Sequence, residues 1–274
     1  FIDEYIEGKT PNPCIRCNKY VKFDELLKTA HSLGAYYVAT GHYAKISHDE
    51  ASDRYLIEES AETKKDQTYM LYSLSQDQIK HILMPLGDFE SKAQVRKIAE
   101  ELDINIARKS DSQEICFVID DDYTRFVKEH TEIPLPTGNF VDIEGNVLGK
   151  HKGIIYYTIG QRKGLGMTFG KPMYVLEVRA ESNEVVLGDN TALFKTELYA
   201  KDVNFIPFDK IESPFKCMGK ARYSSKKSAC TIEMVENEMI KVTFETPQRA
   251  ITPGQAVVFY KDGLLIGGGT ICSL

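Results

Sequence analysis

The 274-residue sequence has no run of about eighteen apolar residues, the length a helix needs to cross a bilayer, so it has no membrane-spanning partner role. It has no basic, apolar-cored leader, and it opens at Phe1 rather than Met; a cytoplasmic protein whose native N-terminus is not represented is the expectation. Internal repeats and low-complexity tracts are also absent. The six cysteines, at 14, 17, 116, 217, 230 and 272, lack a framework spacing, which excludes a disulfide-stapled secreted domain and leaves reduced thiols. There is a single Cys-x-x-Cys, in TPNPCIRCN, and no second pair to complete a four-ligand zinc site. Nothing strand-like precedes it, as a thioredoxin-type motif requires. Redox pair, half of a metal site, or nucleophile with a helper all stay open for Cys14 and Cys17.

What is present is a globular composition, 42% hydrophobic and 27% charged, long enough for two or three domains. The net charge of −6 argues against indiscriminate nucleic-acid binding, but it is uneven. From Lys195 onward 11 basic residues face 9 acidic, a net of +2, while the remainder carries 23 against 31, or −8. A basic tail domain on an acidic body is compatible with a local phosphate-binding surface.

Residues 18 to 33 read as a helix capped by Asn18, with Phe23, Leu26, Leu27 and Ala30 on one face and Gly34 past its end. AYYVAT, 35 to 40, has the pattern of a buried strand, and a helix leading into such a strand suggests a parallel α/β sheet. Ser91 to Leu102 reads as a capped helix with Val95, Ile98 and Leu102 inward, and Asp121 to His130 as a further one. EIPLPTGNF, 132 to 140, marks a boundary, after which strands and turns dominate. YVLEV pairs with EVVLG, CTIEMV with MIKVTFE, and AVVFY with LLIGGGTI across a Lys-Asp-Gly turn. The expected order is an α/β unit over 1–130, a small β-rich domain over 131–194 and a C-terminal β-barrel over 195–274. Cys217, Cys230 and Cys272 fall in its strands as small core or sheet residues.

In an open parallel sheet, ligands bind beyond the carboxyl ends of the strands, which is where ATGHYA places Gly41 and His42. Gly41 lets a ligand or another backbone approach, and His42 sits at the rim; a tight turn with a surface histidine is the bland alternative. The prolines around Asn12 set Cys14 and Cys17 at a helix N-terminus, where the dipole favours thiolate. Cys116, in KSDSQEICFVI, is 99 positions from Cys17, and its bland reading is a buried strand cysteine. KKDQTYML offers Lys64, Lys65, Asp66 and Gln67; YYTIGQRKGLG offers Gln161, Arg162 and Lys163 between glycines; KARYSS sets Arg222 beside Tyr223. Such clusters suit RNA phosphates and stacked bases, though each alone is also an ordinary solvated turn.

Taken in order, TPNPCIRCNKYVKF, YVATGHYA, KKDQTYMLYSL, KSDSQEICF, YTIGQRKGLG and TPGQAVVFY resemble the tRNA-specific 2-thiouridylase (MnmA-type) family, over essentially the whole chain. The resemblance implies an adenine-nucleotide alpha-hydrolase-like pyrophosphatase domain followed by two β domains. The implied reaction uses ATP and Mg²⁺ to exchange the C2 oxygen of the tRNA wobble uridine for sulfur. It implies Cys17 as nucleophile, Cys116 as persulfide carrier and Gly41 at the nucleotide. Asn12, Pro13 and Cys14 match the segment meeting the target base, and His42, Lys65, Asp66, Gln67, Arg222, Tyr223 and Gln255 match tRNA contacts. A cysteine desulfurase or sulfur-relay protein is the implied sulfur donor.

Two departures bear on the chemistry. Many members carry Asp where this chain has Cys14, so Cys14, Cys17 and Cys116 offer ligands for a [4Fe-4S] cluster, against a metal-free route in which a Cys116 persulfide attacks and Cys17 resolves it as a disulfide. The family's SGG-V-D-S phosphate loop has no counterpart here, and the glycines at 267 to 269 lie in a hairpin. The implied protein is a member without its N-terminal pyrophosphatase-loop segment, unable to adenylate uridine alone. The rival readings are a non-catalytic RNA-binding β-barrel protein and a Cys-x-x-Cys oxidoreductase.

Overall fold

The computed structural model describes residues 1–105, 115–120, 122–236 and 238–272. A short helix α1 (Ile2–Ile6) leads through an extended turn into one continuous helical run. That run comprises α2 (Pro13–Arg16), a π-helical stretch Cys17–Glu25 and α3 (Leu26–Ser32). Its cap is Asn12, not Asn18: the Asn12 side chain accepts the Cys14 N–H at 3.2 Å, and Pro13 takes the first helical position, where no N–H is missed. Asn18 instead lies inside the run, 2% exposed, its Nδ2 donating to the Met70 carbonyl at 3.1 Å. Phe23 and Leu27 are buried but Leu26 is exposed, because i→i+5 bonding brings residues four and five apart, rather than three, onto one face. Gly34, at φ 81°, closes the run.

Next come β1 (Val38–Ala39), the hairpin β2 (Ala44–Asp49) and β3 (Arg54–Glu59), α4 (Gln76–Lys80), β4 (Ile82–Leu83), α5 (Lys92–Glu101) and α6 (Tyr123–Glu129). β1 and β4 pair in parallel, Val38 with Ile82 and Ala39 with Leu83. The AYYVAT strand is therefore shorter than expected: only its centre is laddered, and Tyr36 and Tyr37 are half exposed. α4 and α5 begin with capping boxes, Ser75 with Gln78 and Ser91 with Gln94. The apolar stripe of α5 does not face inward: none of the helix is buried, and Leu102 just past it is 67% exposed.

The central sheet contains β5 (Gly138–Val141), β6 (Val147–His151), β7 (Tyr174–Arg179) and β8 (Glu184–Gly188), ordered β6-β5-β8-β7 with β5 and β8 parallel. Its core of Phe140, Val175, Val185 and Leu187 includes Tyr5 from α1 and Val127 from α6. Both helices thus pack on this sheet. The remaining strands are β9 (Phe194–Phe205), β10 (Phe215–Lys220), β11 (Ser228–Met234), β12 (Ile240–Arg249), β13 (Ala256–Lys261) and β14 (Leu264–Ile271). They close an antiparallel barrel in the order β13-β10-β11-β12-β9-β14, completed by the β13–β14 pairing, and β3 attaches to β14 outside the ring.

AVVFY is apolar throughout because β13 is buried on both faces. Val257 and Phe259 point into the barrel, whereas Ala256, Val258 and Tyr260 meet Ile15, Phe23, Tyr69 and Leu71 outside it. Each such large side chain contributes about 1.5–3 kcal/mol on burial. This second core seats the Cys-x-x-Cys helix on the barrel wall. Cys217 and Cys230 face each other across β10 and β11 with sulfurs 3.7 Å apart. Gly267, at φ 154°, has no room for a side chain, since a Cβ would come within 2.1 Å of the Asn204 carbonyl. No helix among the described residues is long and apolar enough to cross a membrane.

Candidate active site

The TPNPC turn is held from the barrel. Gln255, just before β13, donates from Nε2 to the Thr10 carbonyl at 2.8 Å and the Pro11 carbonyl at 3.4 Å. The Thr10 N–H returns a bond to the Pro253 carbonyl at 3.0 Å. Between them Gly254, at φ 86°, lies so close that a Cβ would sit 3.1 Å from Lys9 Cβ. Asn12 completes the seat by capping Cys14 and reaching Met70 Sδ at 3.6 Å.

Cys14 is exposed and Cys17 partly buried, in the first turns of the helical run; Cys116 is exposed on a turn rather than buried in a strand. Residues 106–114, most of the expected serine-rich loop before it, lie outside the described residues. Cys17 and Cys116 both lie near enough to Cys14 to act on its charge. Partial burial pushes its thiol up, Cys116 adds to the rise, the Lys22 ammonium opposes it, and Cys17 adds again. The expected thiolate-favouring environment is therefore corrected for Cys14, because loss of water outweighs nearby positive charge. Among the described residues no three His, Cys, Asp or Glu side chains are arranged to hold a metal ion. The cysteines as placed do not fit an iron–sulfur cluster.

Gly41 lies exposed just beyond β1, where a Cβ would meet only Leu86 Cδ1 at 3.6 Å, so its backbone is open to a ligand. His42 is not at a solvated rim. It is 9% exposed, packed beside the Phe23 ring at 5.7 Å, with Thr40 Oγ1 2.9 Å from its Nδ1. Burial, then the charge of Lys22, hold its pKa down at about 4, so it is neutral at pH 7.

The expected RNA contacts divide. Asp66 accepts the Ser60 N–H at 2.9 Å and the Thr68 N–H at 3.2 Å, and Gln67 bonds Tyr43 through both side chain and backbone; both close the loop on itself. Burial pushes the Asp66 carboxyl up. Lys65 is partly buried, with its N–H on the Glu62 carbonyl. Arg222 is consumed internally, donating to the Ala250 carbonyl at 3.0 Å, the Ile159 carbonyl at 2.9 Å and Thr252 Oγ1. Tyr223 keeps its ring 41% exposed. Gln161 bonds within its own loop, leaving Arg162 and Lys163 in solvent. Arg222, Tyr223, Gln255 and Thr10 line a cavity of about 210 Å³ beside the Cys-x-x-Cys turn.

A larger cavity, about 650 Å³, is lined by Asn12, Ile15, Arg16 and Lys19, and by none of the three sulfurs. That spacing is the opposite helix face from Cys14 and Cys17. Sequence reasoning missed Lys22, which acts on both Cys14 and His42. Its one signal is the five-residue step from Cys17, which is a π-helical repeat and invisible to a 3.6-residue template.

Comparison with known proteins agrees along the whole chain. Residues 1–120 match a family model described as tRNA methyl transferase HUP domain. Residues 124–189 match the tRNA methyl transferase PRC-barrel domain, and 195–271 an aminomethyltransferase beta-barrel domain. Proteins named tRNA-specific 2-thiouridylase MnmA from Clostridioides difficile (strain 630) and Clostridium kluyveri are each 57% identical to it. The first alignment covers 99% of this chain and 75% of the relative, the second 100% and 76%. The same-named protein of Acetivibrio thermocellus is 54% identical, over 99% and 75%.

Proposed function

The chain belongs to the tRNA-specific 2-thiouridylase family, and from that premise we propose that it is a tRNA-uridine 2-sulfurtransferase of the cytoplasm, replacing the C2 oxygen of the wobble uridine with sulfur. A carbonyl oxygen leaves C2 poorly. ATP with Mg²⁺ supplies the adenylyl group that turns this oxygen into a leaving group, and Gly41 gives it an open backbone beyond β1. Asn12, Pro13 and Cys14, seated by Gln255, meet the target base. An unpaired anticodon base can be splayed into such a site.

Cys116, exposed on its turn, receives sulfur from a cysteine desulfurase or a sulfur-relay protein. Its terminal persulfide sulfur bonds C2, and the C2–O bond breaks, AMP taking the electron pair. The Cys17 thiolate then attacks Cys116 Sγ. The bond from Sγ to the transferred sulfur breaks toward the base, which becomes the thiocarbonyl after N3 takes a proton, and a Cys17–Cys116 disulfide remains. A dithiol reductant restores both thiols. Cys14, kept a neutral thiol by its surroundings, is a weak S–H donor beside the developing thiolate.

The observation that supports this reading is the seat that Gln255 builds for the Cys-x-x-Cys turn, with Cys14 and Cys116 both exposed to an incoming base. The test, made in the full-length protein that carries the phosphate loop, is persulfide loading by a cysteine desulfurase with cysteine, read by mass spectrometry, together with thiolation read by retardation of tRNA in an organomercury gel. Cys116→Ser should lose the added sulfur. Cys17→Ser should keep it, bind tRNA normally and yield no thiolated product. An RNA-binding module would take up no sulfur in either, and a Cys-x-x-Cys oxidoreductase would depend on Cys14 and Cys17 but not on Cys116.

A further inference from the structure

Two thiols that the thiolation chemistry does not use face each other inside the barrel. Cys217 on β10 and Cys230 on β11 are register partners, directly opposite across an antiparallel ladder. Both belong to the barrel core with Val242, Phe244 and Phe259, and they are 8% and 3% exposed. Their sulfurs already touch, at 3.7 Å. Gly219 makes the room: a Cβ there would come within 2.9 Å of both Cys230 Sγ and the Phe244 ring. Among the described residues no third His, Cys, Asp or Glu joins the pair to hold a metal ion.

Directly opposed residues in an antiparallel pair have Cα atoms about 4.5 or 5.5 Å apart, according to the hydrogen-bonding position. Both separations fall inside the range of roughly 4.4–6.8 Å that a disulfide spans. Small side-chain rotations would therefore join these sulfurs without moving either strand. The two thiols are not equivalent. The hydrogen bond to Cys217, then burial, push the Cys230 thiol up, so Cys230 keeps its proton while Cys217 is the more accessible sulfur. β10 is also bonded along its other edge to β13, whose outer face seats the Cys-x-x-Cys helix. A link here would fix the hairpin at the strand that supports that seat.

We propose that Cys217 and Cys230 are a redox modification site, which a hydroperoxide converts into a cross-strand disulfide that locks the β10–β11 hairpin. Cys217 Sγ attacks the peroxide, the O–O bond breaks, and the sulfur becomes a sulfenic acid as one water leaves. Cys230 Sγ then attacks that sulfur; the S–O bond breaks, the Cys230 proton leaves with the hydroxide as a second water, and the S–S bond forms. Two thiols lose two electrons to one peroxide, and a dithiol reductant returns them. The site stands independently of the thiolation reading.

The test treats the reduced full chain with hydrogen peroxide, denatures it, alkylates the remaining thiols and digests it with trypsin. Mass spectrometry should find Cys217–Lys220 linked to Ser228–Lys241, two hydrogens lighter than the two peptides together. The link closes a loop between residues 13 positions apart, so the thermal unfolding midpoint should rise by on the order of 5 °C and fall back with dithiothreitol. Cys230→Ala should remove the link and leave Cys217 as a sulfenic acid that dimedone captures. Recovery of both cysteines alkylated, at a peroxide dose that oxidises the exposed Cys14 and Cys116, would overturn the proposal. That measurement is made on the wild-type chain and decides the matter even if the variant does not fold.

Discussion

His42 links the stability of the site to pH. Its pKa is about 4 in the folded chain against an ordinary 6.5, because burial beside Phe23 excludes the charged ring. Between those values the unfolded chain binds the extra proton, so stability is full above pH 6.5 and falls as pH drops toward 4, by about 3 kcal/mol in all. Urea unfolding at a series of pH values should show this slope in the wild type and a flatter one in His42→Gln. Gln255 makes a different prediction. Its amide spans the Thr10 and Pro11 carbonyls, so Gln255→Leu should free the turn that carries Cys14. In the full-length protein a misplaced turn should lower the thiolation rate at saturating tRNA by on the order of a hundredfold while leaving tRNA affinity nearly unchanged. A loss confined to affinity would show that Gln255 acts on the RNA instead.

At the scale of elements, the helical run is where local chemistry and function meet. Removing its cap with Asn12→Ala should cost about 1 kcal/mol and hasten hydrogen exchange at the Cys14 and Ile15 amides, since the Cys14 N–H loses its acceptor. The sequence reading placed the cap at Asn18, ahead of an evident apolar periodicity, and so began the helix too late. What settles the choice is tertiary: the Met70 carbonyl draws Asn18 inward, 52 residues away in sequence. The hairpins β7–β8, β11–β12 and β13–β14 were readable because their turns and alternation are local. The attachment of β3 to β14 was not, because it depends on a single pairing between Glu58 and Leu264. His42 was misplaced for the same reason: its cover, Phe23, comes from another element. The convergence of Cys116 on Cys14 came from the family resemblance, since nothing in the spacing of the two cysteines encodes it.

At the scale of the whole molecule, Arg222 ties the barrel to the central sheet. From the end of β10 it reaches Ala250 and Thr252 within the barrel and Ile159 in the loop between β6 and β7. Arg249 meets the same loop, donating to the Gly160 carbonyl at 3.4 Å and to Asn190 at 3.0 Å. Burial, and then the like charge of Arg249 on the same loop, pull the Arg222 pKa down. The repulsion is tolerated because each guanidinium finds fixed carbonyl acceptors. Arg222→Met should therefore destabilise the chain by about 1–3 kcal/mol, removing a donor from the Ala250 and Ile159 carbonyls and from Thr252 Oγ1. It should also expose the 158–166 loop to limited proteolysis before the barrel strands are cut. Arg249→Met should do less, because it removes a repulsion along with its bonds. If Arg222 instead met RNA phosphate in the bound state, Arg222→Met would weaken tRNA binding with the proteolysis pattern unchanged. The three internal bonds predict the opposite order: the loop loosens first, and tRNA binding weakens only as far as the joint between barrel and central sheet gives way.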